Sequence, residues 1–299
     1  MAQQTLKQGS SSSTFSAYKN NQKRQRSNPF FTIVLHLVLI LGAIIMVVPF
    51  IWMIISSLED TSQIFSVPLK LIPHPFVWSN YSDSLRAQPF GQGYFNSAYI
   101  AIIVVIAQLL TSSMAGYAFA RMRFPGRNAL FLLFLATLMI PFQLTIIPLF
   151  IIMRDLNWVD NHLSLIVPPS LFSALGVFLM RQFIKGLPVE LEEAAIVDGA
   201  NRWTLYWRII LPLLRAPLAA LGIFGFIGQW NSFFYPLIML SSPNLYTVPM
   251  MLNQFRGEYA SQWTLVMAGS VLSILPILIV YIIAQRQIIQ GVATTGLKA

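Results

Sequence analysis

Apolar side chains in this chain come in long blocks without Asp, Glu, Lys or Arg, a pattern unlike the short periodic stripes of a soluble helix or strand. Six blocks match or exceed the roughly 20 residues a helix needs to cross a hydrocarbon layer. They are Phe30 to Ile55, 98–120, Asn128 to Met153, Asn161 to Met180, Ala216 to Phe255 and Tyr259 to Gln285. The fifth exceeds a single span. Pro236, the turn-forming Ser241-Ser242-Pro243-Asn244 and Pro249 divide it into a helix over 216–240 and a following loop. The pattern predicts an all-α membrane protein with six transmembrane helices in a domain over 30–285. A polar, low-complexity tail over 1–29 is expected to be flexible. The tail over 286–299 contains Gly291 and Gly296 and is expected to be extended. The first block is about twice the length of a signal-peptide core and is expected to stay as helix one.

Composition agrees. The chain is 56% hydrophobic and 10% charged, far below the roughly 25% charge of a soluble domain. It has no Cys, which excludes a disulfide framework, a Cys-ligated metal and a cysteine nucleophile. The net charge of +9 would suit nucleic acid until its placement is read. Fifteen of the 19 Lys and Arg fall before the first block, at 121–127, at 181–215 or after the last block. Only Lys70, Arg86, Arg154 and Arg256 fall in the alternate connections. The positive-inside rule then places both termini in the cytoplasm and accounts for the basic excess without nucleic acid.

All ten acidic residues lie outside the six spans, which argues against a carrier that moves protons through a buried carboxylate. The three histidines, His36, His74 and His162, offer no base downstream for a late serine nucleophile, and no phosphate-binding loop or HExxH pair occurs. No catalytic apparatus and no metal site is visible, so uphill transport would need a motor on another chain, reached through a cytoplasmic connection.

The largest such connection is the loop over 181–215. Pro188 suits a first helical position, Glu190, Glu192 and Glu193 suit the positive end of a helix dipole, and Gly199 suits a stop. The spacing predicts a short helix over 188–198, with Leu191, Ala194, Ala195 and Asp198 on one face. A second helix is expected after Asn201. In it Trp203, Tyr206 and Trp207 form an aromatic face at headgroup level, and Pro212 leads into the fifth span. Two amphipathic helices lying on the membrane would fit this spacing equally well.

The order Glu193-Ala194-Ala195, three residues, Gly199, nine residues, then Ile209-Ile210-Leu211-Pro212 resembles the EAA signature of membrane subunits in binding-protein-dependent ABC importers. The segments 115–128, 138–150, 178–200 and 228–240 are similar to the carbohydrate-uptake branch, in particular to subunits like the G component of maltose permease. The likeness covers about residues 30–290. It implies a type I ABC importer permease fold in a bacterial inner membrane. It also implies a second permease chain, two ATPase subunits that bind ATP and Mg, and an extracytoplasmic solute-binding protein. By the same resemblance Glu193, Ala194, Ala195, Asp198 and Gly199 form the element that couples to the ATPase. Glu193 and Asp198 would make charge contacts, the alanines a fitted surface, and Gly199 the turn.

A path for a hydroxylated solute needs hydrogen-bonding groups and aromatic faces, and the fifth helix offers Gln229, Trp230, Asn231, Ser232 and Tyr235. The connection over 56–97 either meets the binding protein or caps the helices. The residues after Gln285 resemble family tails that reach toward the ATPases. The function implied is import of a sugar or related polyhydroxylated solute by alternating access. An ATP-independent facilitator and a non-transporting membrane scaffold are the alternatives.

Overall fold

The computed structural model describes residues 29–64, 66, 72–258 and 262–296. Expectations for the tail before residue 29, for Lys70 and for the last three residues of the C-terminal tail lie outside the described residues. The chain divides into two compact units, 1–52 and 53–299. Helix α1 (Pro29–Ser57) starts in the first unit, where Thr32 and His36 are its polar side chains. The second unit holds α2 (Ser79–Ala87), α3 (Phe90–Arg121), α4 (Arg127–Ala136), α5 (Phe142–Asp155), α6 (Leu163–Leu171) and α7 (Ala174–Lys185). Then come α8 (Glu190–Val197), α9 (Arg202–Leu205), a π-helical turn (Tyr206–Ile210), α10 (Leu211–Leu213), α11 (Arg215–Trp230), α12 (Phe234–Met239), α13 (Val248–Glu258) and α14 (Trp263–Gly296).

Four stretches are long and apolar enough to cross a membrane by themselves: Phe30–Ser57, Phe90–Arg121, Leu163–Lys185 and Trp263–Gln285. Two more are bent pairs, and six spans result when each pair counts as one. Arg127–Met139 and Phe142–Asp155 meet at 104°, where the uniform block over 128–153 had predicted one straight helix. The cause is local. Ile140 precedes Pro141 and is extended, at φ −88° and ψ 115°, because a proline ring crowds a helical residue before it. Arg202–Leu213 and Arg215–Trp230 meet at 73° around Leu214, flanked by Pro212 and Pro217. The fifth span ends at Trp230, ten residues short of the expected 240. Asn231 to Phe233 leave the helix, and a short α12 follows. At the other end, α14 remains helical through Gly291 to Gly296. As far as Gly296 the extended tail expected after Gln285 is therefore replaced by continuing helix, since backbone hydrogen bonds outweigh the modest cost of the interior Gly291.

Helix α3 is the centre of the second unit and packs against α6, α7, α11 and α13. Its approach to α7 is close. A Cβ placed on Gly116 would lie 2.6 Å from Met180 Cβ and 3.0 Å from the Arg181 backbone nitrogen. Polar side chains of α3 also repair a break in its neighbour. Helix α6 stops at Leu171, leaving carbonyls of its last turn without helical donors. Gln108 Nε2 donates to the Pro169 carbonyl at 2.9 Å and Thr111 Oγ1 to the Ser170 carbonyl at 3.1 Å. Ser173 then caps α7 by accepting from the Gly176 N–H at 3.2 Å. Pro168 has no N–H to offer the Ser164 carbonyl one turn earlier, and the Tyr235 hydroxyl donates to it.

Described residues of the connection over 56–97 bond to one another and to the helices. Asn80 donates to the Ser57 and Glu59 carbonyls at 3.0 and 2.9 Å, and Gln88 Nε2 donates to the Glu258 carboxylate at 2.7 Å. Helix α2 packs on α14.

Replacing Gly116 by Val forces the α3–α7 contact apart and is expected to cost about 1–3 kcal/mol. Thermal unfolding of the purified transporter checks this, with a midpoint several degrees below the parent.

Candidate functional site

Residues 181–185 of the expected loop belong to α7, and the connection itself begins after Lys185. Helix α8 starts at Glu190, two residues after Pro188, and the Val189 carbonyl receives the Glu192 and Glu193 N–H groups at 2.9 and 3.1 Å. All three glutamates lie in the first turn, where the helix dipole favours them. The end of α8 is a Schellman turn. Gly199 has φ +84°, its N–H bonds to the Ile196 carbonyl at 3.0 Å, and the Ala200 N–H bonds to the Ala195 carbonyl at 2.9 Å. The interval between Ala195 and Gly199 is thus what this turn requires. Nothing lies within 4 Å of a Cβ added at Gly199, so the demand there is purely conformational, about 1–2 kcal/mol against another residue.

Helix α8 is exposed at Leu191, Glu193, Ala194, Ile196, Val197 and Asp198, with Ala195 half-buried. Five sequence-selected residues, Glu193, Ala194, Ala195, Asp198 and Gly199, therefore share one short surface element. Glu192 differs from its neighbours: it is buried, and its Oε1 lies 2.6 Å from Nε of Arg121, the last residue of α3. Arg121 Nη2 also donates to the Leu187 carbonyl at 2.7 Å. No spacing rule identifies this pair in the sequence, since the partners are 71 positions apart.

Asn201 caps α9, its Oδ1 accepting from the Thr204 N–H at 2.8 Å. Trp203 and Trp207 are exposed, in keeping with the predicted aromatic face, but Tyr206 is buried. Its hydroxyl pairs with Ser113 Oγ at 2.8 Å. The wide π turn starts at Tyr206, and a polar partner inside α3 draws the phenol inward from the two tryptophans.

At the end of α11 the expected path residues separate into two groups. Trp230 is buried, donates from Nε1 to the Ser273 carbonyl at 3.1 Å, and lies beside Tyr94 and Phe226, each at 5.8 Å between ring centroids. The Tyr235 hydroxyl is occupied by the Ser164 carbonyl. Asn231 is exposed, and Gln229 and Ser232 are partly exposed. The large open cavity beside Trp230, about 790 Å³, is walled by Tyr94, Ile102, Leu109, Phe226 and Val280 among others and is overwhelmingly apolar, a poor bed for hydroxyl groups.

At the end of the bundle remote from α8, the loop over 240–247 is held by side chains that sequence reasoning did not select. Asp160, at φ 56°, accepts from the Ser242 hydroxyl and from the Ser241 and Ser242 N–H groups at 2.9 and 2.8 Å. Asn96 donates to the Asn244 and Tyr246 carbonyls, both at 3.0 Å. His162 lies between the Tyr99 hydroxyl and the Leu245 carbonyl. The Asp160-Asn161 pair after a span was the available signal, as a turn-forming dipeptide. The donors, led by the Ser242 hydroxyl, hold the Asp160 carboxyl below the usual carboxylate range.

A depressed carboxyl favours the closed loop above its ordinary range near pH 4, and the benefit is lost only as acid protonates it. Replacing Asp160 by Asn is expected to raise hydrogen exchange several-fold at the 241–242 amides at neutral pH. The parent should show the same loosening only in stronger acid.

With this geometry in place, comparison with known proteins is informative. Residues 108–293 match the family of binding-protein-dependent transport system inner membrane components. The arabinooligosaccharides transport system permease protein AraQ of Halalkalibacterium halodurans is 34% identical over 92% of this chain and 99% of its own length. The sn-glycerol-3-phosphate permease protein UgpE of Yersinia enterocolitica is 35% identical over 86% and 94%. The lactose permease protein LacG of Rhizobium radiobacter is 34% identical over 87% and 94%. A chain in the crystal structure of a bacterial ABC transporter that imports the acidic polysaccharide alginate superposes with a TM-score of 0.77, at 26% identity over 87% of this chain and 97% of that one. The helical fold is that of an ABC-importer permease, and the chain belongs to the binding-protein-dependent transport system inner membrane component family.

Proposed function

We propose that this chain is one of two permease subunits that admit a sugar or related polyhydroxylated solute into a bacterial cell, and that its helix α8 receives the work of ATP hydrolysis from a partner ATPase. The observation that carries this reading is the exposed α8 surface, where Glu193 and Asp198 stand beside Ala194 and exposed aliphatic side chains on a helix fixed at both ends. Carboxylates offer charge-assisted contacts to basic groups of a partner, and alanines let its backbone come close. The 15 to 4 division of Lys and Arg supports a cytoplasmic position for this loop and both termini. In this reading ATP and Mg are bound by two partner ATPase subunits, and the chain itself performs no chemistry.

The solute class rests on the relatives, whose names specify arabinooligosaccharides, glycerol phosphate and lactose. A solute-binding protein delivers the cargo outside, and the path runs between this chain and the second permease. Gln229, Asn231 and Ser232 contribute hydrogen-bonding groups, while Trp230 and Tyr235 shape the wall and hold its backbone. Closure of the ATPases presses on α8 and rocks the spans between outward-open and inward-open states.

In proteoliposomes holding the whole transporter, Ala195→Asp or Gly199→Asp is expected to reduce ATP-driven uptake at least tenfold while the membrane level of the chain is kept. Uptake at the parental rate in both variants would refute the coupling role of α8.

A further inference from the structure

The pair between partly exposed Arg121 and buried Glu192 has no part in the contact just proposed, because Glu192 is turned away from the exposed surface of α8. Its placement suggests a different task. Helix α8 is joined covalently to α7 through Gly186 to Val189 and to α9 through Asp198 to Asn201. Both connections are tight turns, one of them built on the left-handed Gly199. Helix α3 has no covalent link to α8, yet it is the helix around which α6, α7, α11 and α13 pack. Among the described residues the one ion pair between them is Arg121 Nε with Glu192 Oε1 at 2.6 Å, and the same guanidinium holds the Leu187 carbonyl just ahead of α8. The approach of Nε to Oε1 is a charge contact without hydrogen-bond alignment, and the Nη2 bond to the Leu187 carbonyl supplies the direction.

Burying such a pair is an inefficient way to stabilise a loop, since well-packed apolar residues often do as well or better. What it supplies is a defined register between two elements. Two neighbouring contacts make the end of α3 firm enough to use it: the Tyr206 hydroxyl is bonded to Ser113 at 2.8 Å, and Gly116 sits against the backbone of Arg181. Arg121 also lies in the last turn of its helix, where a cation favours the negative end of the dipole.

We infer that Arg121 and Glu192 are positioning residues that make the α3 span follow α8, so that displacement of α8 reaches the centre of the bundle and does not dissipate in the two flanking turns. This rests on the reading of α8 as the receiving element. Its specific consequence is that loss of the pair separates hydrolysis from transport while leaving the partner contact intact.

The test uses the whole transporter in proteoliposomes, with ATP hydrolysis and solute uptake measured on the same vesicles. Glu192→Gln and Arg121→Gln are expected to retain the ATPase subunits and to hydrolyse ATP within about twofold of the parent, while solute taken up per ATP falls at least tenfold. The reversed pair, R121E with E192R, is expected to recover a substantial part of that ratio. A second variant guards against misfolding. The chain has no cysteine of its own, so R121C with E192C can be joined by a reducible thiol cross-linker. The joined form should couple and the same sample after reduction should not. A parental uptake-to-hydrolysis ratio in the single variants, or a ratio unchanged by joining and reduction, overturns the inference. If Ala195→Asp uncouples the transporter but Glu192→Gln does not, only this inference fails. If neither does, the role of α8 itself falls.

Discussion

Hydrocarbon offers no water to a bare carbonyl, so every helix break inside a membrane must find its hydrogen-bond partners in the protein. The second unit breaks its helices repeatedly, and its architecture follows from how those groups are satisfied. Gln108 and Thr111 supply the end of α6, Ser173 the start of α7, and Tyr235 the carbonyl left open by Pro168. Three of these four residues would look like substrate ligands or stray polar groups if the backbone were ignored. Gln108 and Thr111 both lie on α3, so the helix at the centre of packing is also the one that reaches the break in α6.

The same constraint shapes the two ends of the unit. Near α8 the chain leaves helical geometry at Gly199 and Leu214 and widens into a π turn at Tyr206, and each departure is matched by a cap, a turn bond or a side-chain partner. At the opposite end Asp160, Asn96 and His162 perform this service for the loop over 240–247. A bundle secured at its breaks can shift as a set of stiff elements, which is what a gate worked from one end requires. The Arg121–Glu192 pair extends the logic from backbone to charge, tying the central helix to the element that the partner motor would move.

Much of this was legible in the sequence, and the failures have physical causes. Charge-free blocks marked the spans because ionisable groups are costly at depth. The α8 helix was legible because Gly199 and the first-turn placement of the glutamates act through local chemistry. The 104° bend at Ile140 and Pro141 was missed because both residues are apolar and leave a hydropathy block intact, although X-Pro was a signal for it. The backbone partners of Trp230 and Tyr235 were not legible, since no pattern pairs them with the Ser273 and Ser164 carbonyls 43 and 71 positions away. Burial of Glu192 was equally invisible. Its neighbours Glu190 and Glu193 have the same chemistry, and only the end of a distant helix distinguishes them.

The central claim is that the chain is a passive gate, driven by hydrolysis on other subunits. The most direct measurement compares solute accumulation in sealed vesicles containing this chain and its partner permease, with and without the ATPase subunits and internal or external ATP. With the solute-binding protein supplied outside, the account predicts accumulation above the external concentration only when α8, the ATPases and ATP are all on the inner face. Accumulation against a gradient by the chain without any ATPase would contradict it.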